Sequence, residues 1–132
     1  MKYWVVGIAG MIGASLRYVI GISFQYWWLY DFPLATFVTN MAGSFMLGWV
    51  TLFFPRLKFL HPYLVTALGA GLIGSFTTFS TFSVETIELM TSQKWGIAFL
   101  YILLSLWGGL FFSWLGYRLG AADSAIKGRM RK

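Results

Sequence analysis

The sequence predicts an all-α membrane protein of four transmembrane helices, with the third helix broken mid-membrane. Three observations carry that expectation. Of 132 residues, 58% are hydrophobic and only 11% charged, outside the range of ordinary soluble domains. The apolar content falls into four stretches, each long enough to cross a hydrocarbon core of about 30 Å as a helix. The third stretch is written in glycines and hydroxyls, which weaken a continuous helix.

The first span is expected over residues 3–24. Gly7, Gly10, Gly13 and Ala14 give it a small-residue surface of the kind that lets helices approach closely in lipid. It is too long and too rich in glycine to read as a cleaved signal peptide, so it is expected to stay in the protein. Arg17 is its one charge, placed either at a water-filled vestibule or as an interfacial anchor. The second span, 32–54, carries no charge. Thr36, Asn40 and Ser44 recur every four residues and share one helix face. The Asn40 amide must be satisfied there by a neighbouring helix or by something passing through.

The third span, 62–90, holds Gly69, Gly71 and Gly74, then Thr77-Thr-Phe-Ser-Thr81. A break near 75–80 is expected. Non-helical backbone at membrane depth is tolerated only inside protein or beside a water-filled cavity, where freed carbonyls commonly coordinate cations. Phe79 and Phe82 then project from the following half-helix along a common side, as packing residues or as aromatic edges lining a path for a small anion. The fourth span, 95–119, repeats the four-residue spacing with Tyr101, Ser105, Gly109 and Ser113, and a basic tail follows over 120–132.

Charge and composition exclude several functions. There is no cysteine and one histidine, His61, so disulfides, thiolate metal sites and a two-histidine metal site are ruled out. The net charge of +6 comes largely from the tail, beside no fold able to read bases; phospholipid headgroups, not nucleic acid, are the expected partner. With four spans, Lys2, Arg56, Lys58, Arg118 and the tail lie on one side against Lys94 on the other, which predicts cytoplasmic termini.

The run Gly74-Ser-Phe-Thr-Thr-Phe-Ser-Thr-Phe-Ser-Val-Glu85 resembles the signature of the CrcB/Fluc family of bacterial fluoride channels. The likeness extends to Gly10-Met-Ile-Gly-Ala-Ser-Leu-Arg-Tyr18, to the Thr36 to Ser44 pattern, and to Tyr101 and Ser105. It implies a passive, selective fluoride channel of the bacterial plasma membrane, built as an antiparallel dual-topology dimer with two pores at the subunit interface. It further implies that Asn40, Phe79, Phe82, Tyr101, Ser105 and Thr36 line the fluoride pathway. The backbone carbonyls of Gly74 and Thr77 would hold a structural Na+ on the dimer axis. Arg17 matches the family's first-helix arginine, and Glu85 its acidic residue, for which an ion pair and a place near the pore mouth both fit. The charge asymmetry leaves two partners open, a second copy of this chain or a homologous subunit of opposite topology.

Two rival functions remain. A small multidrug exporter also has four spans, but needs a membrane carboxylate to exchange protons for a cationic drug, and the first span offers only Arg17. A structural membrane subunit would explain the packing faces but not Asn40 beside two hydroxyl tracks. An enzyme is not expected, since one histidine and four acids make no catalytic set.

Overall fold

The computed structural model describes residues 2–53 and 62–129. The connection 54–61, with Arg56, Lys58 and His61, and residues 130–132 lie outside the described residues. Among those described, all regular structure is helical: α1 (Lys2–Gln25), α2 (Leu34–Phe53), α3 (Pro62–Thr66), a π-helical stretch (Ala67–Ile73), α4 (Gly74–Phe76), α5 (Phe79–Thr91) and α6 (Trp95–Arg129). Among the described residues four segments are long and apolar enough to cross a membrane: Tyr3–Gln25, Leu34–Phe53, Tyr63–Thr91 and Trp95–Ala122.

Local sequence sets the helix ends. α2 begins at Leu34, after Pro33, because a proline ring disfavours helical backbone in the residue before it. The freed Phe32 carbonyl accepts from Trp28 Nε1 at 2.8 Å and from the Leu34 N–H at 2.7 Å. α5 ends in a tight turn in which Lys94 N–H reaches back to the Leu89 carbonyl at 2.9 Å. That turn holds Gln93 at φ 60°, a left-handed position usually given to glycine. α6 runs on as helix to Arg129, so much of the expected tail continues the last helix.

Glycine decides which helices meet. A Cβ at Gly48 would overlap the Ser113 carbonyl, and one at Gly116 the Phe45 carbonyl, so α2 and α6 touch backbone to backbone at two reciprocal points. α1 packs likewise on the third segment, where Gly13 lies against the Leu72 carbonyl and a Cβ on Gly71 would come within 2.7 Å of the Val6 carbonyl. Such close approach is what associates helices where lipid removes the hydrophobic drive between them. The glycines Gly69 and Gly71 sit not at a break but in the π-helical stretch, which ends with the Gly74 N–H shared between the Gly69 and Gly71 carbonyls. Nothing in the local sequence pattern predicts this π-helical stretch.

A buried cluster of Leu89, Ala98 and Tyr101, with Phe32, Phe37 and Phe82 against it, joins α5, α6 and the α1–α2 connection. Most other large apolar side chains point outward, including Trp107, Phe111 and Trp114 on α6 and Trp4, Ile8 and Met11 on α1. An apolar exterior of this extent fits lipid or a protein partner.

Candidate ion pathway

The third segment is interrupted at Thr77 and Thr78, both in extended backbone (φ −79°, ψ 158° and φ −149°, ψ 127°). Thr78 restarts the helix as an N-cap: its Oγ1 accepts from the Thr81 N–H at 3.2 Å. Asn40, from α2, holds the interruption from the side. Its Nδ2 donates to the Thr78 carbonyl at 3.0 Å and its Oδ1 accepts from the Thr78 N–H at 2.8 Å. The amide is therefore fixed in orientation, with one N–H left over.

These bonds free two carbonyls. In an unbroken helix the Gly74 carbonyl would take the Thr78 N–H and the Thr77 carbonyl the Thr81 N–H. The first donor goes instead to Asn40 and the second to the Thr78 hydroxyl. The Gly74 carbonyl keeps only a long contact from Thr77 Oγ1, at 3.5 Å. Uncharged oxygens released together in this way suit a hard monovalent cation. Among the described residues no group of three or more His, Cys, Asp or Glu could hold a metal ion.

Two cavities flank the interruption, and Thr78 lines both. The first, about 520 Å³, is bordered by Asn40, Ser44, Thr77, Phe79, Phe82 and Ser105. The Phe79 and Phe82 rings lie 5.9 Å apart, and Phe79 is 80% exposed, so its ring stands on the open side of the groove. The second cavity, about 610 Å³, is lined by Arg17, Thr36, Thr39, Thr81 and Glu85 among others. Here Glu85 accepts from Thr36 Oγ1 through one carboxylate oxygen and from the Tyr101 hydroxyl through the other, each at 2.8 Å. Arg17 makes a long contact to Thr81 Oγ1 (3.5 Å), and its buried Nε has no protein partner. Arg17 and Glu85 share the cavity without forming an ion pair.

The sequence-predicted residues thus fall into two groups. Asn40, Phe79, Phe82 and Ser105 border one groove, with Gly74 and Thr77 at its edge. Thr36, Arg17 and Glu85 belong to the other. Tyr101 lines neither: it is wholly buried, with its ring 5.0 Å from Phe82 and 5.4 Å from Phe32, and it reaches Glu85 through its hydroxyl alone. Thr78, not among the residues the motifs single out, joins the two groups: it bonds Asn40 twice, caps α5 and lines both cavities. A threonine opening an apolar run is an N-cap signal, and that signal could have found it.

Comparison with known proteins extends the geometry. The family model described as CrcB-like protein, Camphor Resistance (CrcB), matches residues 4–117. The chain belongs to the CrcB family. Among its CrcB relatives, the fluoride-specific ion channel FluC 1 of Bacillus cereus is 52% identical over 118 residues, covering 89% of this chain and 86% of that protein. FluC 2 of Geobacillus kaustophilus is 50% identical over 117 residues, covering 89% and 91%. FluC of Oceanobacillus iheyensis is 43% identical over 118 residues, covering 87% and 88%. The matched CrcB region reaches into all four apolar segments and includes the lining of both cavities and the interruption.

Proposed function

We propose that this chain is a passive, highly selective fluoride channel that lets F− leave the cytoplasm across the bacterial plasma membrane. It is a channel protein and not an enzyme. The observation that supports the reading best is the helix interruption clipped by Asn40 beside Phe79 and Phe82, in a chain about half identical to proteins named for fluoride conduction. Fluoride is small and strongly hydrated, so a dry path must replace its water with donors. The spare Asn40 N–H, the Ser105 hydroxyl and the positive edges of Phe79 and Phe82 are donors of that kind. Among the described residues no fixed cation borders that groove, which suits an ion that must leave as readily as it enters.

The interruption then lies near the bilayer midplane, and Phe79, open in one chain, meets a second subunit. Two antiparallel subunits, copies of this chain or this chain with a homologous subunit of opposite topology, enclose two pores at their interface. In that arrangement Arg17, Thr36 and Glu85 form the aqueous approach, and Tyr101 completes it through Glu85. The Gly74 and Thr77 carbonyls of each subunit would hold a sodium ion, whose charge would offset their exposed dipoles. A proton-coupled drug exporter is disfavoured by the same geometry, because both Glu85 oxygens are held by hydroxyls with Arg17 in the cavity.

The test is fluoride release from liposomes containing only this chain, with chloride release measured in parallel. Rapid fluoride loss without chloride loss supports the assignment and shows that one chain suffices. Absence of fluoride release, alone and with a homologous subunit co-reconstituted, overturns it.

A further inference from the structure

The cavity that holds Arg17 and Glu85 has a third charged residue on its lining, Asp31, in the α1–α2 connection. One cation therefore faces two carboxyl groups, a poor balance for a compartment that an anion must cross. Lys94 is not on that lining. It comes from the turn between α5 and α6, and its Nζ donates to Asp31 Oδ1. Among the described residues this is the one ion pair.

Lys94 stands on hydrogen-bonded backbone, and Asp31 adjoins a packed residue. Lys94 is held by its N–H bond to the Leu89 carbonyl and by the Ala98 N–H on its own carbonyl, at 2.9 and 3.1 Å. Asp31 precedes Phe32, whose ring packs edge-on against buried Tyr101 and whose carbonyl takes the Trp28 indole. The two side chains keep 41% and 51% of their exposure, so the pair adds little to stability. What it changes is the field at the cavity rim.

We propose that Lys94 is a charge mask: by pairing with Asp31 it presents anions crossing this cavity with a neutral rim where the lining alone is negative. The proposal rests on the anion-channel reading, and it assigns a role in anion passage to two loop residues outside the groove and the helix interruption. Charge at a distance of several ångströms in water changes local ion concentrations by a small factor that salt removes. The mask therefore acts on rate and leaves selectivity to the groove.

The chain has no cysteine, which allows a direct measurement of the rim field. Gln25→Cys places one thiol on the cavity lining at the exposed end of α1. Its reaction rates with a negatively and a positively charged methanethiosulfonate are compared in three backgrounds: Lys94 intact, Lys94→Gln, and Asp31→Asn with Lys94→Gln. In about 20 mM salt, Lys94→Gln is expected to lower the anionic-to-cationic rate ratio about threefold. The double variant restores the ratio, and about 0.5 M salt abolishes the difference. An unchanged ratio in Lys94→Gln overturns the mask. So does a double variant that stays as low as the single one, since that outcome means a structural effect. Fluoride efflux from the same variants without the introduced cysteine gives a second readout: about twofold slower for Lys94→Gln, restored in the double variant. Unchanged efflux also overturns the mask. No efflux from the unmodified chain, with the labelling pattern intact, removes the channel reading and leaves the field effect standing.

Discussion

Asn40 and Thr78 bond each other twice: the amide donates to the Thr78 carbonyl at 3.0 Å and accepts from the Thr78 N–H at 2.8 Å. The side chain imitates a strand partner for a residue that has left the helix, and it releases the Gly74 carbonyl by taking that carbonyl's donor. Asn40→Asp keeps the acceptor but sets an oxygen against the Thr78 carbonyl. The expected result is destabilisation by about 1–3 kcal/mol, from one unsatisfied backbone group. Fluoride efflux should be lost as well, because a carboxylate then stands on an anion path. Thermal unfolding in detergent and liposome efflux check the two effects separately; wild-type efflux in this variant contradicts the assigned pathway.

Thr78 caps α5 through its hydroxyl. Thr78→Ala is expected to cost about 1 kcal/mol, and Thr78→Ser to recover most of it. Equal stability of the alanine and serine variants would remove the cap from the account.

α2 and α6 touch at Gly48 and Gly116 with no room for a Cβ. Alanine at either position forces the helices apart and is expected to destabilise by about 1–3 kcal/mol, as overpacking does elsewhere. Gly7 and Gly21, with no atom near a would-be Cβ, are the controls. Unfolding titrations that show Gly116→Ala no worse than Gly21→Ala would refute the close crossing.

Tyr101 supplies one of two hydroxyls to Glu85, and its ring fills the α5–α6 core. Tyr101→Phe keeps the ring and removes the donor. A double-mutant cycle with Glu85→Met, which removes the acceptor, is expected to return a coupling of about 1–2 kcal/mol. A coupling near zero means that the two groups do not interact in the folded protein.

Gln93 holds φ 60° in the turn before α6. Gln93→Gly relieves that conformation and is expected to stabilise the protein by up to about 1 kcal/mol, visible as a raised unfolding temperature. A lowered temperature would show that the glutamine side chain matters more than the backbone.

Part of the local geometry is legible in the sequence. The four-residue spacing of Thr36, Asn40 and Ser44 marked a polar face, and the Thr77 to Thr81 run marked the weak point of the third segment, because both are local patterns. Less legible was how that face divides. Thr36 turns to Glu85 in one cavity, while Asn40 and Ser44 border the other, one helical turn apart. Periodicity places residues on a face; it does not say what stands opposite them. The same limit hid the partner of Asn40, which is backbone rather than side chain, and the burial of Tyr101, whose ring is claimed by Phe32 and Phe82. Glycine content forecast a weakened helix, yet Gly69 and Gly71 serve a π-helical stretch packed on α1, and the extended residues are two threonines.

By itself the sequence determined what depends on composition and short-range order: four apolar helices, the interruption of the third, and small-residue faces for packing. Tertiary structure alone decided which groups at long sequence separation meet, Asn40 with Thr78, Thr36 and Tyr101 with Glu85, and Lys94 with Asp31. The reason is physical. Helix and turn preferences act within a few residues, whereas a buried polar group takes its partner from whichever helix the packing of glycines brings within hydrogen-bond reach.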